Sequence, residues 1–313
     1  MPSSTYLAGA VTAIAAIFAL RRILNTKNHR FGLVQPTEER VLILGASSGL
    51  GRILVKQYAA RGAKVCAVAR RSEPLAELAQ ECGDGCLPFV ADLTDVADME
   101  KLRELLLRQW GGLDTLHVCA GVSAVQPVMA LTGIKSGNED PDAGSVRSAT
   151  EIAARAVQGN FYGPLTAALT FIPMLKRTSP SPAILLVSSV AAIVPAPTRG
   201  LYAATKAASL LLFQSLAIEH PEIAFTCVLP ATIEGNFRSS AVDAHLSQKI
   251  DETNKKGLKL EYVASRCADA VDEGLRGNIV LPWMPYAIAH HLYYILPSFI
   301  EKQARKKYNF TTQ

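Results

Sequence analysis

No basic stripe runs through the middle of this sequence, and no cysteine framework staples it. Charged residues make up only 19% of the 313, and the net charge of +5 is mild. Nucleic-acid binding needs cations clustered on one face of a folded domain, so nucleic acid is excluded as a partner. The six cysteines, Cys66, Cys82, Cys86, Cys119, Cys227 and Cys267, hold one C-x3-C pair, with no second pair or histidine at useful spacing. That argues against a metal site. Cys66, Cys119 and Cys227 lie in apolar runs, where a free thiol behaves as a small hydrophobe. All are expected as unpaired thiols in a reducing compartment. No repeat and no low-complexity tract is present, which excludes a solenoid.

Charge is scarcest at the two ends. Residues 2–20 carry none, and Arg21, Arg22, Lys27, His29 and Arg30 follow. The strongly apolar part, 7–20, spans roughly 21 Å as a helix against a bilayer core of about 30 Å, and its flanks bring it near full length. A cleaved leader places its cations before the apolar run; here the order is reversed. The pattern predicts a signal anchor in the endoplasmic reticulum membrane, with the following domain facing the cytosol. A mitochondrial targeting segment and a surface helix are the alternatives. Residues 277–300 contain no Asp, Glu, Lys or Arg, and Pro282, Pro285 and Pro297 argue against one spanning helix. Trp283, Tyr286, Tyr293 and Tyr294 suit a membrane–water interface, and Lys302, Arg305, Lys306 and Lys307 suit anionic headgroups. The expectation is a helix in the membrane plane over 286–296, or else a segment packed on the protein or on a second copy. His290 and His291 read as interfacial polar residues, because no third metal ligand is in view.

Between the ends, short apolar runs alternate with amphipathic stretches. Strands are expected at 41–44, 64–69, 86–90, 115–120, 183–187 and 224–229. Helices are expected at 50–60, 74–82, 96–109, 149–176 (bent or broken at Pro164 and Pro173) and 202–218. Near-continuous apolar strands separated by helices predict an α/β fold, a doubly wound parallel-sheet Rossmann domain. Its expected bounds are 38–276, after an anchor and basic linker over 1–37 and before an apolar, membrane-facing segment over 277–313. The polar stretch 131–148 breaks the rhythm after the fourth strand. It reads as an insertion at the substrate mouth or as a plain surface loop.

Three patterns carry chemistry. The first strand runs into Gly45-Ala-Ser47-Ser48-Gly49-Leu50-Gly51 and then a helix. Such glycines let backbone approach a pyrophosphate at a helix N-terminus. The second strand ends in Arg70-Arg71, where an NAD-selective site places a carboxylate; two cations there favour a 2′-phosphate, hence NADP(H). Ser189 follows the fifth strand, and Tyr202 and Lys206 lie at i and i+4 on one helix face. A phenol ordinarily titrates near ~10, and a neighbouring ammonium lowers that toward the range of a useful base.

In this order the residues resemble the short-chain dehydrogenase/reductase family over roughly 40–240. The family's glycine motif begins Thr-Gly, and Leu44 stands where Thr is usual. The resemblance implies an oxidoreductase interconverting a ketone and a secondary alcohol. Tyr202 would be its acid/base, Ser189 the hydrogen-bond partner of the substrate oxygen, and Lys206 would reach the nicotinamide ribose. Asn160 would help organise a proton-relay water, Asp92 with Leu93 would lie at the adenine, and Ala120-Gly121 would form the turn after the fourth strand. Ile233, after Pro230-Ala231, would face the carboxamide. Val118 and Cys119 replace the family's two asparagines. The anchor and apolar C-terminal segment imply a lipophilic small-molecule substrate (steroid, keto-lipid or retinoid). The alternatives are a 3-ketosphinganine-type reductase and a non-catalytic NADP-binding scaffold. The long helices leave a homodimer possible.

Overall fold

The computed structural model describes residues 30–134, 139–246 and 257–310. The expected anchor over 2–20 and most of its basic flank lie outside the described residues. Seven strands form a single parallel sheet in the order β3-β2-β1-β4-β5-β6-β7. They are β1 (Arg40–Leu44), β2 (Lys64–Ala69), β3 (Cys86–Val90), β4 (Thr115–Val118), β5 (Ala183–Val187), β6 (Ala224–Pro230) and β7 (Gly277–Leu281). The helices are α1 (Gly49–Ala60), α2 (Ser72–Cys82), α3 (Val96–Trp110), α4 (Ala143–Val157), α5 (Gly163–Thr178), α6 (Gly200–Glu219), α7 (Leu260–Asp272), α8 (Trp283–Ile295) and α9 (Pro297–Lys307).

Alternation along β1 shows why the sheet is covered twice. Leu42 and Leu44 pack with Leu102 of α3, Phe171 of α5 and Phe213 of α6. Val41 and Ile43 point to the other face, with Leu54 of α1, Leu75 of α2 and Val263 of α7. The inner strands therefore bury both faces and read as unbroken apolar runs, while the edge strands β3 and β7 stay partly open.

The structure moves several expected boundaries. The sheet continues past 276, because Gly277–Leu281 pairs in register with Thr226–Pro230. The domain also begins before 38. Arg30 is buried and ion-paired with Glu39, and it donates to the carbonyls of Ser181 and Asp114 and to Thr115 Oγ1. This last cation of the basic flank is therefore part of the fold. The expected helix over 149–176 is two helices joined by a π-turn, Gln158–Tyr162. Pro164 sits at the start of α5, where a missing N–H costs nothing, and Pro173 lies inside that helix. The polar stretch 131–148 already contains the first turn of α4, which Asp142 caps by accepting from Ser145 N at 2.7 Å.

Among the described residues α6 is the helix long and apolar enough to cross a membrane, yet Tyr202, Lys206, Leu210 and Phe213 on it are buried in the domain. The C-terminal segment forms two consecutive helices, α8 and α9. His290 Nδ1 lies 2.8 Å from the Ile193 carbonyl, so α8 is tied to the loop after β5. Of the two expectations for this segment, packing on the protein holds for that face. Tyr294, Ile295 and Leu296 remain exposed on the other.

Candidate active site

A cavity of about 1530 Å³ opens at the C-terminal ends of the strands, and all the expected site residues line it except Asn160. Open parallel sheets bind ligands at this edge, where strand order reverses beside β1 and β4.

The dinucleotide end is shaped by close backbone approach. A Cβ on Gly51 would stand 2.2 Å from the Gly45 carbonyl oxygen, and one on Gly45 would stand 2.6 Å from Ala120 N. Gly49 has φ +54 and nothing within 4 Å of where a Cβ would be, so the turn stays open at the N-terminus of α1. Gly45 N and Ala46 N bond to the Val68 carbonyl at 2.9 and 3.0 Å, tying the turn to β2. From the end of β2, Arg71 donates to the hydroxyls of Ser47 and Ser48 at 2.9 and 2.8 Å. A guanidinium and two hydroxyls thus converge where an NAD-selective site would hold a carboxylate. The neighbouring Asp92 accepts from Thr94 and lies 3.8 Å from Arg70. These groups fit the phosphates of NADP(H). Leu93 packs over Gly163, where a Cβ would come within 2.8 Å of its side chain. Ile233 is pinned by a bridge to Leu258, with Leu258 N donating to the Thr232 carbonyl at 2.9 Å.

The reacting end gathers residues from four segments. Ser189 Oγ accepts from Ala191 N at 3.1 Å and is also a hydrogen-bond partner of the Tyr202 phenol. Lys206 is buried, and its Nζ donates to the Val187 carbonyl at 2.9 Å. Burial pushes its ammonium down to about 8. Asn160 is buried in the π-turn: its Oδ1 accepts from Val122 N at 2.8 Å, and its Nδ2 donates to the Val122 carbonyl and to Thr205 Oγ1, both at 2.9 Å. Its side chain therefore holds the exit of strand β4 against α6. Gly121 permits this convergence, since a Cβ there would meet Asn160 Oδ1 at 2.9 Å and Lys206 Nζ at 3.1 Å.

Two features depart from expectation. Burial raises the Tyr202 phenol above its ordinary value, so it holds its proton at neutral pH. The first group acting against burial is the Arg199 guanidinium, 4.4 Å from the ring centroid. Arg199, and Arg238 beside it, were not anticipated. The signal was available: Arg199 precedes Tyr202 by three positions, the spacing that places side chains on one helix face. The asparagines absent at 118 and 119 leave a buried Val118 and a Cys119 thiol that burial pushes up to about 12.

The short chain dehydrogenase family profile matches residues 39–245. This chain belongs to that family. It is an oxidoreductase acting on CH–OH and C=O groups. It is 31% identical over 240 residues to 11-beta-hydroxysteroid dehydrogenase-like 4A of Arabidopsis thaliana, covering 75% of this chain and 72% of that one. It is 26% identical to dehydrogenase/reductase SDR family member 7B of Bos taurus, covering 85% and 82%. A serine dehydrogenase solved in its closed form with NADP+ superposes with a TM-score of 0.63 at 22% identity, covering 77% of this chain and 93% of that one, which establishes the shared fold.

Proposed function

We propose that this chain is an NADP(H)-dependent reductase of a lipophilic ketone, the reverse oxidation using the same groups. The observation that carries this is the cavity itself. Its far wall is the apolar inner face of α8 and α9, with Tyr286, Ile288, Leu292 and Phe299 facing the space into which Tyr202 opens. NADP(H) supplies the hydride. Tyr202 donates its proton to the substrate oxygen, Ser189 holds that oxygen, and Lys206 orients the ribose from its anchor on Val187. Arg71, Ser47 and Ser48 select the 2′-phosphate, and Gly45, Gly49 and Gly51 with Leu50 admit the pyrophosphate.

Relatives at about 30% identity carry hydroxysteroid dehydrogenase names, which supports trying steroids first. The exposed apolar face of α8 and α9, followed by Lys302, Arg305 and Lys306, supports membrane association, in keeping with the charge-free stretch at 2–20. We assign the endoplasmic reticulum membrane, with the site on the cytosolic side. Leu169 of α5 and Leu211 and Ile218 of α6 are exposed, which supports a homodimer through those helices.

The test is NADPH consumption by the purified chain against steroid, retinoid and keto-sphingoid ketones, with Tyr202→Phe as control. Turnover that disappears in the variant supports the reading and names the substrate class. Binding of NADPH with no ketone reduced would favour the scaffold reading instead.

A further inference from the structure

Arg199 stands out because its charge is unmatched. It is 7% exposed, yet it forms no ion pair among the described residues. Its Nη1 donates to the Ala124 carbonyl at 2.7 Å and to Ser123 Oγ at 3.2 Å. The buried Asp243 carboxylate, whose charge acts on Arg199 without an ion pair, is engaged instead by Val125 N and Gln126 N at 2.9 Å each. A buried cation without a carboxylate is costly, and a negative charge forming beside it would offset that cost. The guanidinium carbon lies 4.4 Å above the centre of the Tyr202 ring. Against a neutral phenol this is a modest cation–π contact; against a phenolate an ionic attraction is added.

We propose that Arg199 is the cation that stabilises the tyrosinate form of Tyr202, and so governs how readily that phenol gives and takes the reacting proton. Arg199 is a positioning residue acting through Tyr202, and this deepens the reading of Tyr202 as the proton donor, on which it rests. In reduction the Tyr202 O–H bond breaks, the proton goes to the substrate oxygen, and the electron pair stays on Tyr202 as tyrosinate. Arg199 faces that charge from the ring side. The other groups around the phenol are Ser189, Arg238, Tyr308 and the edge of Phe237, with Lys206 one turn further along α6. Arg238 adds a second cation, more open to solvent, and Tyr308 opposes both. Ser123 and Ala124, after β4, set the guanidinium's place.

The test reads the phenol directly. Replace Tyr202 by 3,5-difluorotyrosine in the full chain, so that the phenol titrates where the fold persists, and follow its fluorine resonance against pH without substrate. Arg199→Gln should raise the midpoint by about one pH unit or more, and Arg199→Lys by less, since the charge is kept. Circular dichroism confirms folding. Should the glutamine variant unfold, Arg199→Met keeps the aliphatic stem packed and gives the same reading. Equal midpoints with and without the guanidinium overturn the proposal. Because no substrate is present, this result is independent of whether any ketone in the panel is reduced.

Discussion

The two ends of the sheet handle charge in opposite ways. At the N-terminal ends of the strands, Glu39 pairs with both Arg30 and Arg61, Arg61 pairs with Asp272 at 2.8 Å, and Arg40 pairs with Asp114 at 2.8 Å. Beside them Tyr58 and His117 share a buried hydrogen bond of 2.9 Å. Each cation there has its carboxylate. At the C-terminal ends, Lys206 and Arg199 are more deeply buried than Arg40 and Arg61, yet they hydrogen-bond only to carbonyl oxygens and a hydroxyl. Paired charge closes a network and fixes geometry. Cations left without carboxylates keep a field available for a negative charge that forms only during reaction. The first end is scaffold and the second is chemistry, and the second leaves its cations without carboxylates although it buries them as deeply as Arg30 or nearly so.

The largest expected effect lies at the reacting end. Tyr202→Phe should lower the rate of ketone reduction by roughly 10²–10⁴-fold while NADPH still binds, measured by NADPH consumption beside a fluorescence titration. A comparably large effect belongs to the scaffold end and is read in stability. Glu39→Gln leaves the buried Arg30 without a carboxylate, Arg61 keeping Asp272, and should destabilise the fold by about 3–5 kcal/mol in denaturant unfolding. If instead it altered turnover and spared stability, the contrast between the ends would fail. Gly51→Ala should weaken NADPH by at least roughly tenfold, because the added carbon collides with the Gly45 carbonyl; a titration showing unchanged affinity would mean that the turn is free to move. Charge reversal at Arg70 or Arg71 should raise the Michaelis constant for NADPH far more than for NADH, and Arg71, which holds both hydroxyls, should show the greater bias.

The pH dependence is subtler and comes from Lys206. Its ammonium, depressed to about 8 by burial, is charged at neutral pH and loses its proton as pH rises through that value. The reduction rate should fall above about pH 8, and a flat profile to pH 9 would show that the ammonium is not needed. The smallest effect is expected at the outer face of α8 and α9. Ile295→Glu should reduce sedimentation with phosphatidylserine-containing vesicles several-fold and leave NADPH binding unchanged, since Ile295 is 73% exposed and lies outside the cavity lining.

Much of the fold is legible without coordinates, for a reason visible in β2, β3 and β5. Their ends coincide with the expected ones because turn residues bracket the apolar runs, and in β2 and β5 both faces are buried as well. The dinucleotide turn is legible too, because its chemistry depends on local backbone geometry encoded within Gly45–Gly51. Errors cluster where the partner is distant. The seventh strand, Gly277–Leu281, is short and merges with the apolar segment that follows, so only its pairing with β6 reveals it. Arg30 looks like one more cation of a membrane flank until Glu39 and Thr115 close around it.

By itself the sequence determined the alternating sheet, the glycine turn, the arginines after β2 and the order of Ser189, Tyr202 and Lys206, because each depends on residues adjacent or one helix turn apart. Tertiary structure alone decided which cations are matched by carboxylates, that Asn160 spends its side chain on Val122 and Thr205, and that α8 and α9 fold back over Tyr202. Those outcomes depend on distances between segments far apart in the chain, and burial sets the strength of a charge only after the segments have met.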